Sequence, residues 1–279
     1  MSMPDDIASP MPPRTSLLAP DELSPFEILN PGSEKPVVLI ADHATRFIPR
    51  ALDNLGLDEA SLLRHIAWDI GIAEVTRALA GHLGVTAVLS RFSRLVIDPN
   101  RRLASPVSIP QESDGVQVPG NLGLDPAARA LRVATFFDPY HAAIGSAIRA
   151  HLAAGRHPVL VSMHSFTPVM DSRERPWKIG ILWNQDPRVP QALIAMLRAI
   201  DVPVGDNEPY SGRDAHGYSQ HVHGDHHGLA NALIEVRQDL IDTHHGAEEW
   251  AAVLGEILQT ALADPELYKP FRGSRQGGE

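Results

Sequence analysis

Histidine and carboxylate are the chemically useful side chains here, and three of them follow or sit in short apolar runs. PVVLIA (36–41) leads into Asp42-His43, PVLVSM (158–163) into His164-Ser165, and NALIEV (231–236) carries Glu235. The chain has no cysteine, which excludes thiolate zinc sites, iron–sulfur clusters, disulfides and cysteine nucleophiles. A metal site must then come from its 14 histidines and its carboxylates. A catalytic zinc needs three such ligands and an open position, and His43 and His164 are the two best histidine candidates. Either histidine could instead cap its strand end by bonding to backbone. Asp69, in HIAWDIGIAEV, is a carboxylate among apolar residues, and an unpaired buried charge is very costly. A metal or an arginine would each satisfy it.

Two further groups carry possible chemistry. In SRFSRLVIDPNRR (90–102), Asn100 and Arg101 offer amide donors and a planar fork suited to a carboxylate, and Arg94 could reach the same pocket. DPNRR is also good surface-turn sequence. Glu235 inside an apolar strand would suit a general base with a raised pKa, or an internal pair with Arg237. The segment 207–230 holds His216, His221, His223, His226 and His227; we read it as a solvated loop serving as active-site lid or wall. Serine hydrolysis is poorly supported, since no G-x-S-x-G elbow surrounds Ser165. Phosphate-loop and dinucleotide fingerprints are missing too.

The elements that must position these residues alternate. PVVLIA, TAVLS (86–90), PVLVSM, KIGILW (178–183) and NALIEV read as buried strands. Apolar spacing of three and four over 58–82, behind an Asp58 cap, predicts one helix with Asp69 on its apolar face. Asp125-Pro126 opens another helix, which Pro139 must break or kink. Residues 187–200 and 246–262 are further helices. This alternation predicts an α/β fold with a mostly parallel sheet covered on both faces. Ligands bind beyond the carboxyl ends of such strands, where His43, His164 and Glu235 fall.

At 279 residues and 43% hydrophobic composition the chain can bury one sizeable core. We expect a flexible arm over 1–25, with prolines at 4, 10, 12, 13, 20 and 25, one catalytic domain over 26–268, and a loose tail over 269–279. No apolar run of about 18 residues suggests a membrane span, and no secretory signal opens the chain, so a cytoplasmic location is expected. A net charge of −10 argues against nucleic acid as a partner.

The segments ADHATRFIP, AWDIGIAEV, SRFSRLVIDPNR, MHSFTPVM, WKIGILWNQD, GDNEPYSG and ALIEVRQDLI resemble, in order, the motifs of N-formylglutamate amidohydrolases over roughly 36–245. The resemblance implies a three-layer α/β/α zinc-exopeptidase (phosphorylase/hydrolase-like) architecture with a mostly parallel mixed sheet. It implies one Zn2+ per chain on His43, Asp69 and His164, with Glu235 as general base and Arg94 polarising the scissile carbonyl. Asn100 and Arg101 would bind the α-carboxylate of a small anionic N-acyl amino acid, with Ser165 and Tyr210 completing the substrate-binding set. The carboxypeptidase relatives carry a glutamate ligand three residues after the first histidine; here that residue is Arg46, so Asp69 is the natural substitute and Asp42 the alternative. SFTPVM and NEPYSG look more like a broad branch of the family than its histidine-degradation members. The activity implied is zinc-dependent cleavage of N-formyl-L-glutamate to formate and glutamate. The alternatives are a zinc deacylase or carboxypeptidase-like hydrolase of another N-acyl amino acid or short peptide, and a non-catalytic metal-binding protein. A homo-oligomer is compatible with the sequence.

Overall fold

The structure is a computed structural model that describes residues 16–213 and 217–273. The main sheet strands are β1 (Phe26–Leu29), β2 (Val37–Ala41), β3 (Thr86–Ser90), β6 (Val159–Phe166), β9 (Ile179–Leu182), β10 (Val204–Asp206) and β11 (Asn231–Arg237). Two short hairpins, β4 (Glu112–Ser113) with β5 (Val116–Gln117) and β7 (Val169–Met170) with β8 (Arg173–Glu174), lie outside it. The main sheet has the order β1-β3-β2-β6-β11-β9-β10. Its centre, β3, β2, β6 and β11, is parallel. β1 and β9 run against their neighbours β3 and β11, and β10 runs with β9. This is the expected α/β fold with a mixed, mostly parallel sheet. All five predicted strands form; β1 and β10, at the two edges, were not predicted.

Every residue of β2 is buried, and its side chains alternate between two cores, as strand geometry requires. Val37, Leu39 and Ala41 pack with residues of α2 (Ile72–Leu83), α5 (Arg188–Ala199) and α7 (His244–Ala261). Val38 and Ile40 pack on the opposite face with Phe136, Tyr140 and Ile144. Continuous apolar runs therefore mark strands covered on both sides. Leu17 belongs to this second core, and Asp21 and Glu22 pair with Arg50. Residues 1–15 of the expected arm and 274–279 of the tail lie outside the described residues. Among the described residues, no helix is long and apolar enough to cross a membrane.

One helix expectation is corrected. The single helix over 58–82 is two pieces, α1 (Glu59–Leu62) and α2, joined by turns. Asp58 does cap α1, accepting from the Ser61 amide at 2.8 Å. The intervening backbone makes only isolated turns of its own and bonds to other segments as well: Asp69 N–H donates to the His43 carbonyl and Arg94 N–H to that of Ala67. Gly71 then takes φ +80°, and a Cβ there would sit 2.0 Å from the Ile241 carbonyl oxygen, so only glycine fits. Asp69 thus lies in a turn, not on a helix face. Pro139, expected to break or kink its helix, does not end it but follows a local distortion. α3 (Pro126–Arg132) passes through a π-helical turn at Val133–Phe137 into α4 (Asp138–Ala153). The wider turn lies directly before the ring and accommodates it.

Candidate metal and catalytic site

β2, β6 and β11 are neighbours in the sheet, and their carboxyl ends open onto a cleft of about 540 Å³. His43 follows β2, while His164 lies inside β6, which runs three residues further than its apolar pattern suggests. Glu235 stands in register beside His164. All nine expected site residues line the cleft: His43, Asp69, Arg94, Asn100, Arg101, His164, Ser165, Tyr210 and Glu235.

His43, Asp69 and His164 form a buried group whose ligand atoms lie within 4.8 Å of one another. Asp69 Oδ2 lies 2.9 Å from His164 Nδ1 and 3.4 Å from His43 Nδ1. The far side of each ring is also held. His43 Nε2–H donates to Asp98 Oδ1 at 2.8 Å. His164 Nε2–H donates to Ser162 Oγ at 3.1 Å, with Asp42 Oδ2 in ion-pair contact at 3.3 Å. That Asp42 oxygen has no well-aligned hydrogen bond among the described residues; its contact with the ring is electrostatic, and Ser162 is the acceptor. When both rings are neutral with the proton on Nε2, two Nδ1 lone pairs and a carboxylate oxygen face one point. This acceptor-only set of nitrogen and oxygen fits a divalent cation such as zinc, and carboxylate-backed imidazoles are the usual outer support of such ligands.

The same geometry sets Asp69 apart from Asp42. Asp42 sits behind His164, where its Oδ1 accepts from Tyr140 Oη at 2.9 Å and Ser219 Oγ at 2.8 Å. It backs the ring from the side away from Asp69 and does not belong to the three-residue group.

Charge coupling in the group is strong. Burial would raise the Asp69 carboxyl, but His43 and His164 hold it well below the usual range. Burial opposes protonation of His164, yet Asp42 and Asp69 push it up to about 10. Asp98 is likewise held low against burial by His43 and Arg94. Arg94 bridges the two carboxylates, donating to Asp69 Oδ1 and Asp98 Oδ2 at 3.2 Å each.

Glu235 behaves differently. It is 7% exposed, and its Oε2 has no hydrogen-bond partner among the described residues. Burial, aided by the Asp69 charge, raises it to about 7. The competing pair with Arg237 does not form, because that guanidinium bonds to Asp239 instead.

On the flank, the DPNRR turn is not a surface feature at Asn100, which is 3% exposed. Asn100 Oδ1 accepts from the Ser219 amide at 3.0 Å, and Arg101 donates to the Asn100 carbonyl at 3.0 Å. Ser165 gives its hydroxyl proton to the Ile70 carbonyl at 2.9 Å and its amide to Asp69 at 3.3 Å, tying the Asp69 turn to β6. Tyr210 accepts from Arg175 at 3.1 Å under a guanidinium stacked 4.8 Å from its ring.

The histidine-rich segment is only partly solvated. His221, His226 and His227 are exposed, and His216 lies outside the described residues. His223 is buried in α6 (Tyr218–His223), 2.9 Å from His141 of α4. The expectation of a wholly solvated run is corrected there, because neighbouring aromatic rings cover that face.

Asp42 as a ring support, Asp98, Tyr140 and Ser219 were not anticipated from the sequence. Asp98 had a signal, since it ends the apolar run LVID just as Asp69 interrupts one. Tyr140 and Ser219 had none, because they meet Asp42 across 98 and 177 residues of chain.

Comparison with known proteins agrees with this architecture. The sequence matches no curated protein. A gene product of Agrobacterium tumefaciens is similar in structure, with a TM-score of 0.87 and 36% identity, covering 90% of this chain and 99% of that one. An N-formylglutamate amidohydrolase from Ralstonia eutropha shares the fold, with a TM-score of 0.63 and 20% identity over 86% of this chain and 96% of its own. The family model for N-formylglutamate amidohydrolase matches residues 35–242, which include every residue of the site just described, and the chain belongs to that family of amide hydrolases.

Proposed function

We propose that this chain is a zinc-dependent amidohydrolase that removes the acyl group from an N-acyl amino acid, with N-formyl-L-glutamate as the first candidate. The observation that carries this reading is one juxtaposition. A buried His–Asp–His acceptor set lies beside a carboxylate that has an unpartnered oxygen and is raised to about 7. His43, Asp69 and His164 would hold one zinc ion, backed by Asp98 and Asp42. Zinc there supplies Lewis acidity to the attacking water and to the acyl carbonyl.

The chain's own residues do the rest. Glu235 takes a proton from the water as its oxygen bonds to the acyl carbon. Arg94, fixed by two carboxylates, faces the oxyanion that develops on the carbonyl oxygen, a role typically worth about 3–4 kcal/mol. As the carbon–nitrogen bond breaks, Glu235 returns the proton to the leaving nitrogen. Asn100 and Arg101 bind the substrate carboxylate, converting binding into orientation, and Ser165 and Tyr210 wall the site.

A second reading, hydrolysis of a larger N-acyl amino acid or short peptide, is favoured by cleft size. At about 540 Å³ the cleft falls among those that take drug-sized ligands, and it continues past Arg101 to Val107, Pro110 and the β4–β5 hairpin.

Metal analysis combined with formate release from N-formyl-L-glutamate, before and after chelation, tests the proposal. One zinc per chain and chelator-sensitive release are expected. One zinc without formate release moves the assignment to the second reading, to be resolved with N-acetyl and dipeptide panels. A chain without metal that zinc does not activate sinks the zinc mechanism.

A further inference from the structure

The short helix α6 reaches both halves of the site without lining the cleft. Its Ser219 is fully buried and makes two well-formed bonds in different directions. The amide N–H donates to Asn100 Oδ1 at 3.0 Å. The hydroxyl donates to Asp42 Oδ1 at 2.8 Å, with the Pro99 carbonyl at 3.4 Å as a weaker alternative acceptor. Asp42 in turn backs His164. One residue therefore touches the support of a proposed metal ligand and the amide of a proposed carboxylate-binding residue.

A second connection leaves the other end of the helix. His141 Nε2 lies 3.0 Å from the Pro99 carbonyl, which can only accept, so that nitrogen carries the proton. His141 Nδ1 is then an acceptor when the ring is neutral, and His223 Nε2–H donates to it at 2.9 Å, the rings stacking at 5.1 Å between centroids. α6 thus holds the Pro99-Asn100 backbone from one end and the Asn100 side chain from the other. With Oδ1 engaged by Ser219, the amide of Asn100 has its orientation set, its Nδ2 donor edge turned away from the helix.

Resting on the zinc reading, we propose that Ser219 and His223 are positioning residues that act through different partners: Ser219 on metal affinity through Asp42 and His164, and His223 on substrate affinity through His141, Pro99 and Asn100. The assignment separates because Ser219→Ala removes only the hydroxyl arm and leaves the amide bond to Asn100 in place. It also leaves Tyr140 on Asp42, which limits the loss. His223→Leu removes the donor to His141 without touching Asp42. His223→Gln restores a donor of similar reach.

The test is zinc calorimetry on chelator-stripped protein together with KM for N-formyl-L-glutamate, or the best acyl substrate, in the zinc-loaded enzyme. Ser219→Ala should bind zinc about 10-fold more weakly, the low end for outer supports of metal ligands, with KM within about twofold of wild type. His223→Leu should raise KM several-fold at unchanged zinc affinity, and His223→Gln should bring it back. Unchanged zinc affinity in Ser219→Ala overturns the metal arm; unchanged KM in His223→Leu overturns the substrate arm. If both variants shift both quantities in step with melting temperature, α6 is structural only and the inference fails. A wild-type chain that takes up no zinc removes the zinc reading and this inference with it, an outcome distinct from a zinc-binding wild type matched by its variants.

Discussion

Replacing Glu235 by glutamine should make the enzyme slower and the metal-free protein more stable, and both effects follow from one buried oxygen. Glu235 Oε2 has no hydrogen-bond partner among the described residues, and burial raises the carboxyl from 4.5 to about 7. In the unfolded chain the group ionises near its ordinary value; in the folded protein it resists ionisation up to about 7. The resulting destabilisation is absent below pH 4.5, develops between about 4.5 and 7, and is complete above 7. At 1.36 kcal/mol per pH unit it amounts to about 3 kcal/mol. Glutamine has nearly the same shape and no charge, so Glu235→Gln should raise the stability of zinc-free protein by up to about 3 kcal/mol at pH 8 and by little at pH 4.5. Urea unfolding at the two pH values reads this directly. Turnover should fall by about 10²–10⁴-fold, the contribution of a positioned general base. The wild-type rate should climb with pH as the carboxyl ionises, through an apparent value at or below 7 because a bound cation favours the anion. A variant that loses stability at pH 8, or that retains turnover, would refute the assignment of a desolvated base.

Two other perturbations probe the flank and the frame. Arg101→Ala should raise KM for carboxylate-bearing substrates by about 10–100-fold, as expected for a lost charge-assisted bond of about 1.5–3 kcal/mol, with kcat less affected; steady-state kinetics with an acid and its amide analogue would check it, and equal KM values for the two would remove Arg101 from carboxylate recognition. Arg132 is 2% exposed and donates to the Val96 and Gly120 carbonyls and to Asn121 Oδ1, bracing the segment that carries Asp98–Arg101. Arg132→Met should lower stability by about 3–5 kcal/mol, since each buried acceptor left unpaired costs about 1–3 kcal/mol; a loss below about 1 kcal/mol by denaturant unfolding would show that the segment does not depend on it.

The sequence made the sheet legible wherever burial on both faces wrote a continuous apolar run, as in VVLIA and NALIEV. It made His43, His164 and Glu235 legible because all three are set against such runs. It failed at 58–82 because periodicity records which residues are buried, and the same spacing of three and four serves a helix and a series of turns pressed on a core. What broke that helix was tertiary: the amide of Asp69 bonded to His43 and a glycine packed on Ile241. The edge strand β1 was hidden because its residues are largely half-buried, so no apolar run marks it. The ring supports were hidden for a similar reason. Ser219 and Tyr140 are ordinary residues until the fold brings them to one carboxylate, and no spacing rule covers a separation of 177 residues.

The charges around the two imidazoles supply an argument for a bound cation that does not depend on family likeness. Asp42, Asp69 and Asp98 are each at most 4% exposed, and all three are held in the ionised form. Arg94 is the guanidinium that bridges two of them. With neutral imidazoles, the three carboxylates outnumber the guanidiniums of Arg94 and of Arg101, which also acts on Asp98, and an uncompensated buried charge is expensive. One partial remedy is a proton on His164, and its affinity for protons is indeed raised to about 10 by Asp42 and Asp69. That proton would sit on Nδ1, the atom turned towards Asp69, and so in the position a cation would take. The site thus gathers negative charge at the point a cation would occupy, and Glu235, buried and close enough to feel the Asp69 charge, holds its proton up to about pH 7.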